Sequence, residues 1–131
     1  MKRTELREQI FKLVFGIEFC DKEEIAGQQK LYFEQLEEIQ GKDLEYIQGK
    51  AQKIAERAAE IDALLNEHTT GWKTARMNKA DLAILRLAVY EIKWDEDVPA
   101  GVAINEAVEL AKKYSSDEGP AFINAVLAKF V

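Results

Sequence analysis

A long seam of apolar residues constrains this chain more than any other feature of its sequence. Between residues 44 and 65 an apolar side chain recurs every three or four positions without a break. This spacing places the seam along one side of an α-helix that packs lengthwise against other helices. The sequence therefore predicts one continuous helix with an inner face made of Leu44, Ile47, Ala51, Ile54, Ala58, Ile61 and Leu65.

Two kinds of packing would bury such a seam. One is a coiled coil between two copies of the chain, and the other is a helical bundle within one chain. The seam extends over only about three heptads, and other segments of the chain carry apolar faces of their own. An intramolecular bundle is therefore favoured, and a homodimer is the alternative.

The rest of the chain repeats the helical pattern. Apolar spacing predicts helices near residues 4–19, 82–92, 103–114 and 122–130, with a shorter one between Asp21 and Gly41. Asn78 with Asp81 forms a capping pattern that predicts where one of these helices begins. Seven glycines and two prolines are too few for the turns of a β-sandwich or barrel. We expect one all-α domain over residues 1–131, built of two small packed helical bundles at about 1–68 and 72–131.

Nothing in the sequence indicates catalysis. The single cysteine, Cys20, and the single histidine, His68, lie far apart without a motif around either. The chain has no glycine-rich phosphate-binding motif, and its spacing singles out no pair of carboxylates as acid and base. We therefore expect no enzyme activity, no metal site and no cofactor. Without an apolar run long enough for a membrane span or a signal peptide, the chain is expected to be cytoplasmic and not bound to a membrane.

The distribution of charge points to a binding function. With 18 basic and 24 acidic residues the net charge is −6, which argues against wrapping of duplex DNA by the whole surface. Basic residues are nevertheless clustered at two places, which are Lys2, Arg3 and Arg7, and then Lys73, Arg76 and Lys79. Cations at the start of a helix oppose the helix dipole, so stability alone does not explain the first cluster.

Single-stranded RNA is a candidate ligand for such clusters, and an ordinary solvated surface is the alternative. Proteins hold it with cations on the phosphates and with aromatic rings that stack on unpaired bases. Trp72 and Phe122 are candidates for such rings, and packing in the core is the alternative for both. The residues alone therefore predict a helical binding module with RNA as a candidate ligand.

Three blocks in the C-terminal half resemble a known family. The first runs from Trp72 through Arg76 and Asp81 to Tyr90-Glu91, and the second is the run VPAGVAINEAVELAK at residues 98–112. The third is FINAVL at residues 122–127. In order, spacing and length these blocks resemble the NusB family of bacterial transcription antitermination factors. The likeness is weak in the N-terminal helix, and residues 21–68 share only helical character.

The resemblance implies a function and a set of partners. NusB-like proteins are all-helical and non-enzymatic, and they bind boxA, a single-stranded element of ribosomal RNA transcripts. They do so as a heterodimer with NusE, a protein of the small ribosomal subunit, and join other Nus factors on RNA polymerase. The complex allows the polymerase to ignore termination signals in ribosomal RNA operons.

The resemblance also implies site residues. The family's RNA contacts correspond here to Arg3 and Arg7, beside Lys2, and to Glu118 and Phe122 near the last helix. The NusE-facing surface corresponds to the helix that opens at Asp81, whose alternative role is an N-terminal capping acid. Arg86 and Glu91 match further motif positions, with structural ion pairs as the alternative. Two motif asparagines, Asn105 and Asn124, are expected to be buried hydrogen-bonding groups.

The sequence also departs from the family pattern. Thr4 and Glu5 interrupt the arginine cluster that many members have at the start. Fewer phosphate contacts predict weaker RNA binding by the isolated protein and a shallower dependence on salt. The alternatives are a helical adaptor that binds only proteins, or a homodimer with weak or no RNA binding.

Overall fold

The computed structural model describes residues 2–16, 41–69 and 73–131. Within these ranges every regular element is a helix, which confirms the all-α prediction. The short helix predicted between Asp21 and Gly41 lies almost entirely outside the described residues, as do Cys20 and Trp72. The chain divides into two compact units, Met1–Glu56 and Arg57–Val131, and each is described by itself.

The first unit contains two described helices that pack against each other, α1 (Arg3–Gly16) and α2 (Lys42–Glu56). In both helices apolar residues recur at helical spacing, so each helix has one apolar face, and these faces are buried. The fully buried members are Ile10 and Val14 on α1 and Ile47 and Ile54 on α2. Part of the apolar seam is therefore buried within the chain, as expected for intramolecular packing.

The seam does not form one helix. α2 ends at Glu56, and α3 (Ala58–His68) begins one residue after Arg57, whose dihedral angles of −101° and 5° leave the helical range. The guanidinium of Arg57 lies 4.5 Å from the centroid of the Trp94 ring and 3.2 Å from the Glu60 carboxylate. The prediction of a continuous helix was therefore wrong, because the backbone of Arg57 leaves the helical conformation between α2 and α3.

The second unit surrounds one central helix. It contains α3, a 3-10 turn at Thr74–Arg76, α4 (Lys79–Trp94), α5 (Ala100–Tyr114) and α6 (Gly119–Ala128). Every residue of α4 from Asp81 to Glu91 is buried, because α3, α5 and α6 all pack against this helix. The side chain of Asn78 accepts a hydrogen bond from the Ala80 backbone N–H at 2.8 Å, which confirms the predicted helix start.

The asparagines of the C-terminal motifs are not in the core. Both Asn105 on α5 and Asn124 on α6 are exposed, so the prediction that they are buried was wrong. The buried positions of α5 are Ala103, Ala107, Leu110 and Ala111 instead. The small alanine side chains allow α5 to approach its neighbours closely, as the sequence indicates.

Two glycines near α2 are expected to respond in opposite ways to alanine. Gly41 precedes α2 with φ of 61°, a left-handed conformation that a Cβ disfavours, so Gly41→Ala should lower the free energy of unfolding by about 1 kcal/mol. Gly49 lies inside α2, and no described atom stands within 4 Å of where its Cβ would be. Gly49→Ala should therefore raise the free energy of unfolding by about 0.5–1 kcal/mol. Urea unfolding of both variants checks the two signs, and destabilisation by Gly49→Ala would contradict this account.

Candidate nucleic-acid interface

The cations predicted to contact RNA at the N-terminus differ in their exposure. Lys2 and Arg3 are exposed at the start of α1, where the Lys2 carbonyl accepts a hydrogen bond from the Leu6 N–H at 3.0 Å. Arg7, one turn further along, is only 4% exposed. Two exposed cations are therefore available to phosphates here, and Arg7 is held within the protein.

The second group of predicted RNA contacts lies at the start of α6. Glu118 is exposed and immediately precedes this helix, while Phe122 is half-buried one turn later. The Phe122 N–H donates to the Glu118 carbonyl at 3.1 Å, so the backbone fixes the two residues relative to each other. Phe122 is therefore neither fully buried nor fully open to water.

These two groups belong to different units of the chain. Lys2, Arg3 and Arg7 are in the first unit, and Glu118 and Phe122 are in the second. Within each unit the residues of a group lie within about one or two helical turns of each other. A single RNA site that combines the two groups remains a prediction from the sequence.

The residues predicted to face a protein partner all lie on α4, and all are buried. Asp81, Arg86 and Glu91 are 8%, 5% and 1% exposed, respectively. Their side chains therefore offer a partner little surface, although Lys79 and Lys93, at the two ends of α4, are exposed. Any contribution of these three residues to partner binding has to come mainly through the groups that they hold in place.

Arg86 forms the ion pair that was its alternative role. Its Nε donates to Oδ1 of Asp62 at 2.8 Å, and its Nη2 donates to Oδ2 at 2.6 Å. This two-point geometry is typical of strong arginine–carboxylate pairs, and it joins α4 to α3. The side chains are 6% and 25% exposed, so water competes little for the arginine.

Asp81 takes part in a contact that sequence reasoning missed. Its carboxylate accepts a hydrogen bond from the Ser115 hydroxyl, which belongs to the residue that follows α5. The two residues are 34 positions apart, so no local pattern could have indicated the bond. The only available signal was that both residues stand at helix ends, where polar side chains satisfy free backbone or side-chain groups.

The second basic cluster is displayed on a well-fixed turn. Lys73 immediately precedes the 3-10 turn and Arg76 is its last residue, and both are exposed. Asn66 of α3 holds the turn through two hydrogen bonds to Thr74, at 2.8 Å to its backbone N–H and 3.3 Å to its hydroxyl. Two cations of the cluster are therefore exposed on a turn whose backbone is held in place, on a chain whose net charge is −6.

The described part of the chain contains neither a metal-binding cluster nor a membrane-spanning helix. No group of three or more histidine, cysteine, aspartate or glutamate residues there could hold a metal ion. None of the described helices combines the length and the apolar character that crossing a membrane requires.

Comparisons with known proteins give a consistent result. A family model described as the NusB family matches residues 4–131. The chain is 55% identical over 130 residues to "Transcription antitermination protein NusB" of Agathobacter rectalis, covering 99% of both chains. It is 46% identical over 131 residues to the protein of the same name from Lachnoclostridium phytofermentans, covering 100% of this chain and 99% of the relative.

Solved structures agree with the sequence relatives. A structure of NusB from T. maritima matches with a TM-score of 0.85 and 30% identity, covering 99% of this chain and 90% of that one. A chain in the crystal structure of a plectonemic RNA supercoil matches with a TM-score of 0.82 and 24% identity, covering 98% and 92%. The second likeness is one of fold alone.

Proposed function

Because this chain belongs to the NusB family, we propose that it is a transcription antitermination factor that binds boxA-type single-stranded RNA together with NusE. In this role it joins other Nus factors on RNA polymerase and promotes processive transcription of ribosomal RNA operons in the cytoplasm. The observation that carries the proposal is the 55% identity, over 99% of both chains, to a transcription antitermination protein. The relatives are named for antitermination and not for a catalytic activity.

The exposed residues supply the chemistry that RNA binding requires. In the proposal, Lys2 and Arg3 neutralise phosphates, and the accessible part of the Phe122 ring stacks on an unpaired base. The exposed carboxylate of Glu118 accepts hydrogen bonds from base amino groups. Arg7, which is 4% exposed, supports the start of α1 and contributes little direct contact.

The small number of exposed cations in these two groups supports a role for a protein partner. Two cations contribute modest affinity for RNA at physiological salt, and the net charge of −6 repels a polyanion at longer range. In the proposal NusE binds beside α4 and completes the RNA-binding surface. Asp81, Arg86 and Glu91 shape this region from within, since all three are buried.

A gel shift with boxA RNA and a scrambled RNA of equal length, each with and without NusE, tests the proposal. A shift that is stronger for boxA and is enhanced by NusE is the expected result. No shift in any lane, together with NusE binding in a separate assay, would favour the protein-only adaptor. Light scattering at several protein concentrations tests the homodimer, and a dimer that RNA fails to dissociate and that binds no RNA would favour that alternative.

Neutralising the exposed N-terminal cations is expected to weaken RNA binding and reduce its salt dependence. Loss of two phosphate contacts in Lys2→Ala with Arg3→Ala should make the slope of log affinity against log salt shallower by about 1.4, and lower the affinity roughly 10–25-fold at 0.1 M salt. A salt titration by fluorescence anisotropy, with NusE present, measures both quantities. Arg7 is left unchanged because removing a buried arginine would disturb the fold as well as the charge.

The matched control removes two positive charges from two other exposed positions in the same unit. Lys42 and Lys53 of α2 are both exposed, and Lys42→Ala with Lys53→Ala should leave the salt slope nearly unchanged. Equal slopes for both double variants would mean that overall charge, and not contact by Lys2 and Arg3, determines affinity.

A further inference from the structure

We infer that Ser115 is a positioning residue that couples partner binding at the start of α4 to RNA binding at the start of α6. The inference rests on the proposed function, because it assumes that NusE binds beside α4 and that Glu118 and Phe122 contact RNA. It goes beyond that function by naming the hydrogen bond through which one ligand affects the other.

Three helix ends meet at Ser115. Asp81 is the third residue of α4, Ser115 follows the last residue of α5, and Gly119 is the first residue of α6. The Ser115 hydroxyl donates to Oδ1 of Asp81, and the Ser115 N–H donates to the Ala111 carbonyl at 2.9 Å. The serine therefore ties the end of α5 to the start of α4. A hydrogen bond to a charged acceptor at this part-buried site is stronger than a typical neutral one.

The start of α6 rests directly on this hydrogen-bonded pair. If Gly119 had a Cβ, this atom would overlap the Ser115 hydroxyl. It would also lie 2.5 Å from the Ser115 Cβ and 3.5 Å from Oδ1 of Asp81. Only the absence of a side chain at Gly119 allows such a close approach. The position of the first turn of α6 is therefore set by where the Ser115 side chain stands.

The predicted RNA contacts are attached to the same turn. Glu118 immediately precedes Gly119, and the Gly119 N–H donates to the Ser116 carbonyl at 2.9 Å. The Phe122 N–H donates to the Glu118 carbonyl, so the aromatic ring follows any movement of this turn. A shift of Ser115 would thus displace both RNA-contacting residues together.

The burial of Asp81 explains why its effect on a partner would be indirect. With 8% of its surface exposed, Asp81 offers NusE little direct contact, but it holds Ser115 and through it the start of α6. A partner that fixes the start of α4 would therefore favour one position of Glu118 and Phe122. Linkage requires that RNA then strengthens NusE binding by the same factor.

The test compares the affinity for boxA RNA with and without saturating NusE, using fluorescence anisotropy on the full chain. The ratio of the two dissociation constants is the coupling factor. Ser115→Ala should reduce this factor roughly 10-fold, within the usual range of coupling between sites, because the bond to Asp81 is lost. Ser116→Ala is the matched control, since Ser116 is exposed and its backbone carbonyl remains, and it should leave the coupling factor unchanged.

A double-mutant cycle with Asp81 separates positioning from general destabilisation. If the two side chains act through their mutual bond, Ser115→Ala combined with Asp81→Ala should reduce the coupling factor no further than either change alone. Asp81→Asn keeps an acceptor oxygen and should retain most of the coupling. A merely structural role would lower the melting temperature in Ser115→Ala and leave the coupling factor as in the wild type.

The outcomes distinguish this inference from the function on which it rests. Wild-type coupling by NusE that Ser115→Ala leaves intact would overturn the inference while the proposed function stands. The inference would also be overturned if Ser115→Ala and Asp81→Ala each reduced the coupling factor and their effects on the coupling free energy added in the double variant, because the two residues would then act independently. A wild-type chain that binds no boxA RNA under either condition would overturn both.

Discussion

Replacing Asp62 with alanine is expected to lower the free energy of unfolding by about 3 kcal/mol, because one partner of a largely buried ion pair would be lost. The reason is the position of Arg86 on the buried face of α4, where its side chain is 6% exposed. Asp62 compensates this charge through two hydrogen bonds of 2.8 and 2.6 Å. Without the carboxylate, the guanidinium has to be desolvated with less compensation or has to move toward water.

Thermal unfolding followed by circular dichroism would measure the effect of Asp62→Ala. A loss of about 3 kcal/mol corresponds to a fall in melting temperature of about 10 °C for a chain of this size. The matched control is Glu60→Ala, which breaks the exposed pair between Arg57 and Glu60, with side chains 42% and 57% exposed. Exposed pairs contribute at most about 1 kcal/mol, so Glu60→Ala should lower the melting temperature by only a few degrees. Equal losses in the two variants would show that burial does not determine the strength of the Asp62–Arg86 pair.

Replacing Phe122 with alanine is expected to weaken binding of boxA RNA about 10- to 100-fold when NusE is present. Stacking of one base on an aromatic ring is worth about 1–3 kcal/mol, and in the proposal the half-buried Phe122 makes such a contact. Because the ring also packs within the protein, alanine would remove core contacts together with the stacking surface. Affinity therefore has to be interpreted beside the melting temperature of the same variant.

Two further substitutions at Phe122 separate the two effects. Leucine keeps most of the apolar volume and removes the aromatic face, so Phe122→Leu should retain stability but lose most of the RNA affinity. Tyrosine keeps the aromatic face, so Phe122→Tyr should bind RNA nearly as well as the wild type. Wild-type affinity in a well-folded Phe122→Leu variant would mean that the ring has only a packing role.

Local patterns predicted the helices because their causes are local. Apolar spacing marked the buried faces of α1 and α2, and Asn78 marked the start of α4, since a capping side chain acts within a few residues. The break at Arg57 has no such local cause. The surrounding residues are good helix formers, and the contact with Trp94 that accompanies the break comes from a residue 37 positions further along the chain.

The candidate site was predictable in its residue types but not in its exposure. Two cationic clusters and an aromatic residue are visible in the sequence, and the family resemblance indicated which of them to associate with RNA. Whether a given arginine faces water is a different question, because residues four apart share one face of a helix and only tertiary packing decides how far along that face burial extends. Arg3 is exposed and Arg7, four residues later, is 4% exposed, although both are arginines at the start of the same helix.

By itself the sequence determined that this chain is helical, which family it resembles and, apart from the break at Arg57, where the described helices lie. These properties follow from short-range spacing and from motifs that are read along the chain. Only the tertiary structure decided that Asp62 compensates Arg86 and that Ser115 holds Asp81, pairs separated by 24 and 34 residues. Burying a charged group requires a partner in space, and which distant residue provides it is settled only when the helices pack.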